Sequence, residues 1–219
     1  MQLKSGVLRL KIKSVEIDWF GQASFRIIGK KTVYIDPYVL PSNAAKADVI
    51  LISHDHWDHC DATKIARIRK NDTIILSCAS VARKIKGVEL IAVGETKKVG
   101  GITVKAVPAY NVGKSFHPKN TGIGFVIDVD GTKIYHAGDT DFITEMSALA
   151  AERIDVALLP IGGKFTMDAR EAADAAAVIR PRYVIPMHYG MVPGTEADAT
   201  EFKALVDSKD LRIEVRLLG

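Results

Sequence analysis

The apolar run Asp48-Val-Ile-Leu-Ile-Ser53 leads straight into His54-Asp55-His56-Trp57-Asp58-His59, which sets three imidazoles and two carboxylates within six residues. A short apolar run of this kind reads as a buried strand, so the histidines fall in the turn that the strand ejects. Residues two apart on an extended backbone share a side, so His54 and His56 can grip one ion. Asp58 and His59 follow where the chain must turn and can aim at a second. Neutral imidazole and carboxylate are the donors that suit zinc, iron and related divalent ions. Three of the chain's six histidines lie in this one cluster, an expense that a merely polar loop does not require.

The chain has 219 residues and no Ser/Gly/Pro-rich linker, so it is expected to form a single domain over residues 1–219. A hydrophobic fraction of 47% suits a substantial core. No apolar run reaches the roughly 18 residues of a membrane span, so no membrane partner is expected. The N-terminus, Met1-Gln-Leu-Lys-Ser-Gly6, shows no signal-peptide pattern, and a cytoplasmic location is expected. The net charge of +4 comes from scattered lysines and arginines. They form no stripe interleaved with aromatics, so a nucleic-acid partner gains no support, whereas a small anionic substrate suits the balance. An oligomer and a monomer suit the sequence equally. Two cysteines make no disulfide framework. Cys60 is either a small residue beside the cluster or a soft ligand, and Cys78 reads as core.

The first hundred residues read mostly as strands, at Val15–Phe20, Ser24–Ile28, Thr32–Ile35 and Val49–Ser53, separated by Gly and Pro signals. A helix follows at 61–69 with Asp61 as N-cap, then a strand at Ile74–Leu76 and a helix near Ala79–Ile85. Strands resume at 89–93, 97–99, 102–107 and 124–129, and Asp130-Gly131 signals a hairpin into 133–136. Beyond it, helices are expected at Phe142–Glu152, Met167–Ile179 with Thr166 as N-cap, and Glu196–Val206. They alternate with strands at 156–159, 183–186 and 213–217. Hairpins mixed with strand-then-helix units predict an α+β protein, with two sheets face to face and helices on the outer sides.

Further donors follow buried strands. Asp139 comes after a Gly turn in Tyr135-His-Ala-Gly-Asp139-Thr140, His188 just past a strand end, and Asn111 and His117 after the strand ending near Val107. Each has a plainer alternative as a turn carboxylate, a capped loop histidine or a packing residue. His136, three residues before Asp139, is either a packed core histidine or a support for the ligand shell.

The pattern His54-x-His56-x-Asp58-His59, then Gly138-Asp139-Thr140, then Met187-His188 resembles the metallo-β-lactamase-fold hydrolases over nearly the whole chain. Trp19-Phe-Gly-Gln-Ala-Ser24-Phe25 and Ile161-Gly-Gly-Lys-Phe-Thr-Met-Asp168 also resemble a compact subgroup akin to ascorbate-6-phosphate lactonase. The resemblance implies a four-layered αββα sandwich with a dinuclear site at one edge. One ion takes His54, His56 and a third histidine, the other takes Asp58, His59 and His188, and Asp139 bridges them. Asp36 fits the supporting aspartate of the family. Two departures stand out. Tyr110-Asn111 occupies the usual place of the third histidine, so either His117 reaches back or Asn111 lends an oxygen. Gln22 stands where relatives often show histidine.

Two divalent ions, zinc first with manganese or iron as alternatives, activate water against a carbonyl or phosphoryl centre. Asp58 is the candidate catalytic carboxylate, orienting that water or passing on its proton. Lys164 and Thr166, in a Gly-rich loop, are either contacts for an anionic substrate group or a surface loop with a helix cap. The leading expectation is a metal-dependent hydrolase of a small ester, lactone or phosphoester. The alternatives are a phosphodiesterase or nuclease on nucleic acid, and a non-hydrolytic iron redox or sensing module.

Overall fold

The computed structural model describes residues 8–209 and 211–218. The Met1–Gly6 stretch, in which no leader was expected, lies outside them. β1 (Leu8–Ile12), β2 (Val15–Gly21), β3 (Ser24–Ile28), β4 (Thr32–Ile35), β5 (Val49–Ile52), β6 (Ile74–Ser77) and β7 (Val88–Leu90) stand side by side in chain order. Pairing is antiparallel from β1 to β4 and parallel from β4 to β7. The parallel strand β5 is buried at all four residues, as a strand covered on both faces must be. Helices α1 (Ala62–Ile68) and α2 (Ala79–Ala82) carry the chain between its parallel neighbours.

The second sheet repeats the plan. β8 (Thr96–Val99), β9 (Ile102–Ala109), β10 (Gly122–Val129) and β11 (Thr132–His136) are antiparallel. β12 (Val156–Pro160), β13 (Tyr183–Met187) and β14 (Glu214–Val215) then add in parallel. The β10–β11 turn is Asp130-Gly131, with φ positive at both residues (49° and 76°), as a tight primed turn demands. A 3₁₀ helix (Thr144–Glu152), α3 (Ala169–Ile179) and α4 (Ala199–Asp207) form the crossovers, and α3 packs on β12, on α4 and on the 3₁₀ helix.

The sheets meet through a continuous core that includes Phe25, Ile35, Leu51, Phe125 and Ile127. Phe25 on β3 meets the His136 ring on β11 edge-on, with centroids 5.8 Å apart. The architecture is the expected α+β sandwich of two mixed sheets with flanking helices. No helix among the described residues is long and apolar enough to cross a membrane.

Local differences have local causes. β1 went unread, although Leu8-Arg-Leu-Lys-Ile12 alternates at the strand period. The segment after Phe142 is 3₁₀ rather than α. Its buried apolar residues Met146 and Leu149, like Ile143 ahead of it, recur every third residue, which matches three residues per turn. The α3 cap is Asp168 and not Thr166. Asp168 accepts from Glu171 N while the Glu171 carboxylate accepts from Asp168 N, closing a capping box. Asp61 caps α1 as expected, accepting from Thr63 N and Lys64 N. α2 stops at Ala82, α4 starts only at Ala199, and β14 is two residues long.

Candidate metal centre

β5, β9, β11 and β13 all end at one edge of the sandwich, and a candidate ligand segment leaves each of them. β5 releases His54 through His59, β9 the loop with Asn111 and His117, β11 the turn with Asp139, and β13 His188. Gly138 makes the β11 turn possible. Its φ is +64°, and a Cβ there would lie 2.8 Å from Ile123 O, so only glycine passes and the next residue, Asp139, is swung inward.

Three groups of donors close to within 4.8 Å: His54, His56 and His117; His54, His59 and Asp139; and Asp58, His59 and His188. His56 Nδ1 lies 3.1 Å from His117 Nε2. Asp139 sits between the groups. Its Oδ2 is 3.0 Å from His188 Nε2, 3.2 Å from His117 Nε2 and 3.9 Å from His54 Nε2, and its Oδ1 is 3.3 Å from His59 Nε2. Asp58 Oδ2 lies 3.5 Å from His188 Nε2 and 3.6 Å from His59 Nε2.

Behind these atoms a polar shell fixes the rings. Asp36 Oδ2 lies 2.8 Å from His59 Nδ1 and accepts from the Ser53 hydroxyl, while its Oδ1 accepts from Ser53 N. Ser53 Oγ reaches His54 Nδ1 at 3.0 Å. Asn111 Oδ1 lies 3.0 Å from His117 Nδ1 and accepts from His117 N, while its Nδ2 donates to Asp141 and to Phe165 O. Both ends of the Asn111 amide are thereby engaged, and His117 is the residue that reaches the cluster. Gln22, at the position where a histidine was noted in relatives, donates from Nε2 to Asp58 Oδ2 at 2.8 Å. Its backbone oxygen accepts from His188 N. The three non-glycine residues Gln22, Asp36 and His188 all adopt positive φ, at 50°, 44° and 57°, a strain that persists only where surrounding structure enforces it.

Charge in this cluster is strongly coupled. Burial drives His54 well below its ordinary pKa, and neighbouring imidazoles add to the shift. Burial also opposes charge on His59 and His188, yet Asp139 and Asp36 hold His59 well above its usual value. Asp139 and Asp58 push His188 up to about 9. Asp139, despite burial, is held well below the carboxylate range by His188 and His59. The donor set fits a cation. His54 Nε2, His59 Nε2, His188 Nε2 and Asp139 Oδ1 are buried without a hydrogen-bond partner, and buried polar atoms rarely stay orphaned unless an ion or water serves them.

The other expected residues fall outside the donor groups. His136 is buried between backbone atoms, Nε2 against Ala23 O at 3.1 Å and Nδ1 accepting from Gly138 N, so it braces the Asp139 turn. Cys60 belongs to none of the groups among the described residues, and burial raises its thiol to about 11. Cys78 is core. Thr166 is wholly buried with its hydroxyl on Met167 O, so it offers no group to a ligand from the surface. Lys164 is exposed with Nζ over the Phe165 ring. Sequence reasoning missed Lys114, which ties the His117 loop to the loop after β12 by donating to Asp141, Gly163 O and Thr166 O. It also missed the Ser53 and Asp141 hubs, which carried no motif of their own.

Residues 16–188 match the family described as the beta-lactamase superfamily domain. A UPF0173 metal-dependent hydrolase from Thermoplasma acidophilum is 41% identical, over 89% of this chain and 92% of the relative. One from Pyrococcus abyssi is 38% identical, over 89% and 93%. Among solved structures, Igni18, a novel metallo hydrolase from Ignicoccus hospitalis, superposes with a TM-score of 0.78 at 32% identity, over 93% of this chain and 94% of that one. By the fold, the match across the motif-bearing strands and these relatives, the chain belongs to the UPF0173 metal-dependent hydrolases of the metallo-β-lactamase superfamily.

Proposed function

We propose that the chain hydrolyses a small ester, lactone or phosphoester with water activated at a dinuclear centre, zinc being the ion that best suits the donors. His54, His56 and His117 would hold one ion, Asp58, His59 and His188 the other, with Asp139 between. The observation that carries this reading is the position of Asp139, whose carboxylate lies within 3.0–3.9 Å of ligand nitrogens from both groups. Divalent ions held by these residues would supply Lewis acidity, lowering the pKa of water toward neutral and offsetting negative charge on the substrate oxygen.

The chain's own residues do the rest. Asp36 and Asn111 aim His59 and His117 through their Nδ1 atoms, leaving Nε2 to face inward. Asp58, anchored by Gln22, orients the attacking water and takes up its proton. Burial of Asp58 and Asp139 keeps bulk water from screening these charges. We read residues 1–219 as one domain, a view supported by the single core shared between both sheets. A cytoplasmic setting suits the two free, buried cysteines.

His56→Ala and Asp139→Ala should lose bound metal and hydrolytic activity together, measured by elemental analysis and a panel of esters, lactones and phosphodiesters. Full activity in a metal-free variant would end this mechanism.

A further inference from the structure

We infer that the substrate of this site is a neutral ester or lactone with an apolar acyl or aryl part, seated between two hydrophobic walls at the mouth of the metal centre. The inference rests on the hydrolytic reading above and narrows it. Seven large apolar side chains are exposed among the described residues, and five of them (Trp57, Val112, Phe116, Phe142 and Met191) stand on segments that carry candidate ligands. Exposed apolar side chains scattered singly need no explanation, but a concentration around a polar centre marks a contact surface.

The first wall runs from Met191 to Trp57. The Met191 sulfur sits 2.7 Å from where a Cβ on Gly21 would lie, with Val39 3.8 Å from the same point. Gly21 has φ +117° and no side chain, and that bareness lets Met191 lie against the backbone. Next to Val39, Tyr38 meets the Trp57 ring edge-on, with centroids 5.2 Å apart. Trp57 stands between His56 and Asp58, with 62% of its surface exposed. The second wall is Phe116 against Phe165, edge to face at 4.8 Å, adjoining His117.

Three of the lysines on the flanking segments are already matched by carboxylates and offer a phosphorylated substrate little. Lys84 is held by Asp55, Lys114 by Asp141 and two carbonyls, and Lys119 by Glu145. Lys164 lies over the Phe165 ring, Nζ 5.0 Å from its centroid, where it continues the wall with its methylene stem. Hydrolysis at such a site joins the oxygen of water to the acyl carbon and breaks the acyl C–O bond. One proton of that water leaves on the alcohol, and the acid product retains the apolar chain.

The test is a p-nitrophenyl ester series from acetate to hexanoate on the zinc-loaded protein, with p-nitrophenyl phosphate beside it. Binding of hexanoate and of acetate is measured in parallel by titration calorimetry. The expected result is a kcat/KM that rises about fourfold with each added methylene that leaves water. Trp57→Ser and Phe116→Ser should flatten that rise, and Leu90→Ser, an exposed apolar residue away from the ligand segments, should not. A flat series, or faster turnover of the phosphate, overturns the apolar substrate while leaving the hydrolase standing. Failure to hydrolyse any probe, with hexanoate still held more tightly than acetate, rejects the proposed ester hydrolysis and keeps the apolar mouth. Failure of both measurements rejects both.

Discussion

Asp36 Oδ2 and His59 Nδ1 lie 2.8 Å apart at full burial, and the same carboxylate takes both donors of Ser53, at 2.7 and 2.6 Å. One side chain therefore fixes the end of β5 and the direction of the fourth histidine-cluster ligand. Asp36→Asn should weaken metal retention by about 10- to 100-fold, the range expected when a supporting partner of a ligand is lost. Competition with a chromogenic chelator measures it, and an unchanged circular dichroism spectrum would show the fold intact. Unaltered affinity would deny Asp36 its aiming role.

Asn111 links His117 to Asp141 and to Phe165 O. Asn111→Ala removes that link without touching the Asp58–His59–His188 group. Affinity at the His54–His56–His117 group should drop by about tenfold, so elemental analysis across a metal titration should resolve one tight and one weakened site. His117→Ala should lose the weakened site entirely. If its metal content matched the parent, His117 would not be a ligand.

Gln22, wholly buried, gives the buried Asp58 carboxylate a charge-assisted hydrogen bond. Gln22→Leu is expected to lower kcat by about tenfold, near 1.4 kcal/mol of barrier, with metal content preserved. Steady-state kinetics alongside elemental analysis separates this outcome from simple loss of metal.

Far from the site, Asp48 accepts from Thr32 N and from Lys70 Nζ, each at 2.8 Å. Burial opposes its charge, but the Lys70 hydrogen bond, with the Thr32 backbone N–H behind it, holds its pKa below the ordinary carboxylate value. A depressed carboxylate stabilises the fold above its unfolded value, and that contribution disappears as pH falls through the folded value. Asp48→Asn should therefore cost about 1 kcal/mol at pH 7. The gap in urea denaturation should close as the pH drops below the unfolded value. A gap that persisted in acid would mean that shape, and not charge, accounts for it.

Much of the scaffold was legible because single-residue chemistry decided it. β3 and β4 were read to the residue, since short β-branched runs bounded by Gly and Pro have few other outcomes. The residues His54, His56, Asp58, His59, Asp139 and His188 could be singled out because each follows a buried strand, and the structure brings them together. The shell behind them was hidden. Ser53 and Lys114 lie in no motif, and their partners stand far away along the chain, at Asp36 and at Gly163 and Thr166. His117 was in doubt for the same reason, because its reach depends on an Asn111 amide held by Asp141, 30 residues on. The Asp168–Glu171 box was readable and was passed over for the Thr166 beside it.

His54, His56, Asp58 and His59 hang from the first sheet, whereas His117, Asp139 and His188 hang from the second. Any cation gripped by donors from both would rivet the two halves of the sandwich across their shared rim. Heating a chelated sample should accordingly unzip the molecule from that rim, and loading ions should raise the temperature at which the halves part.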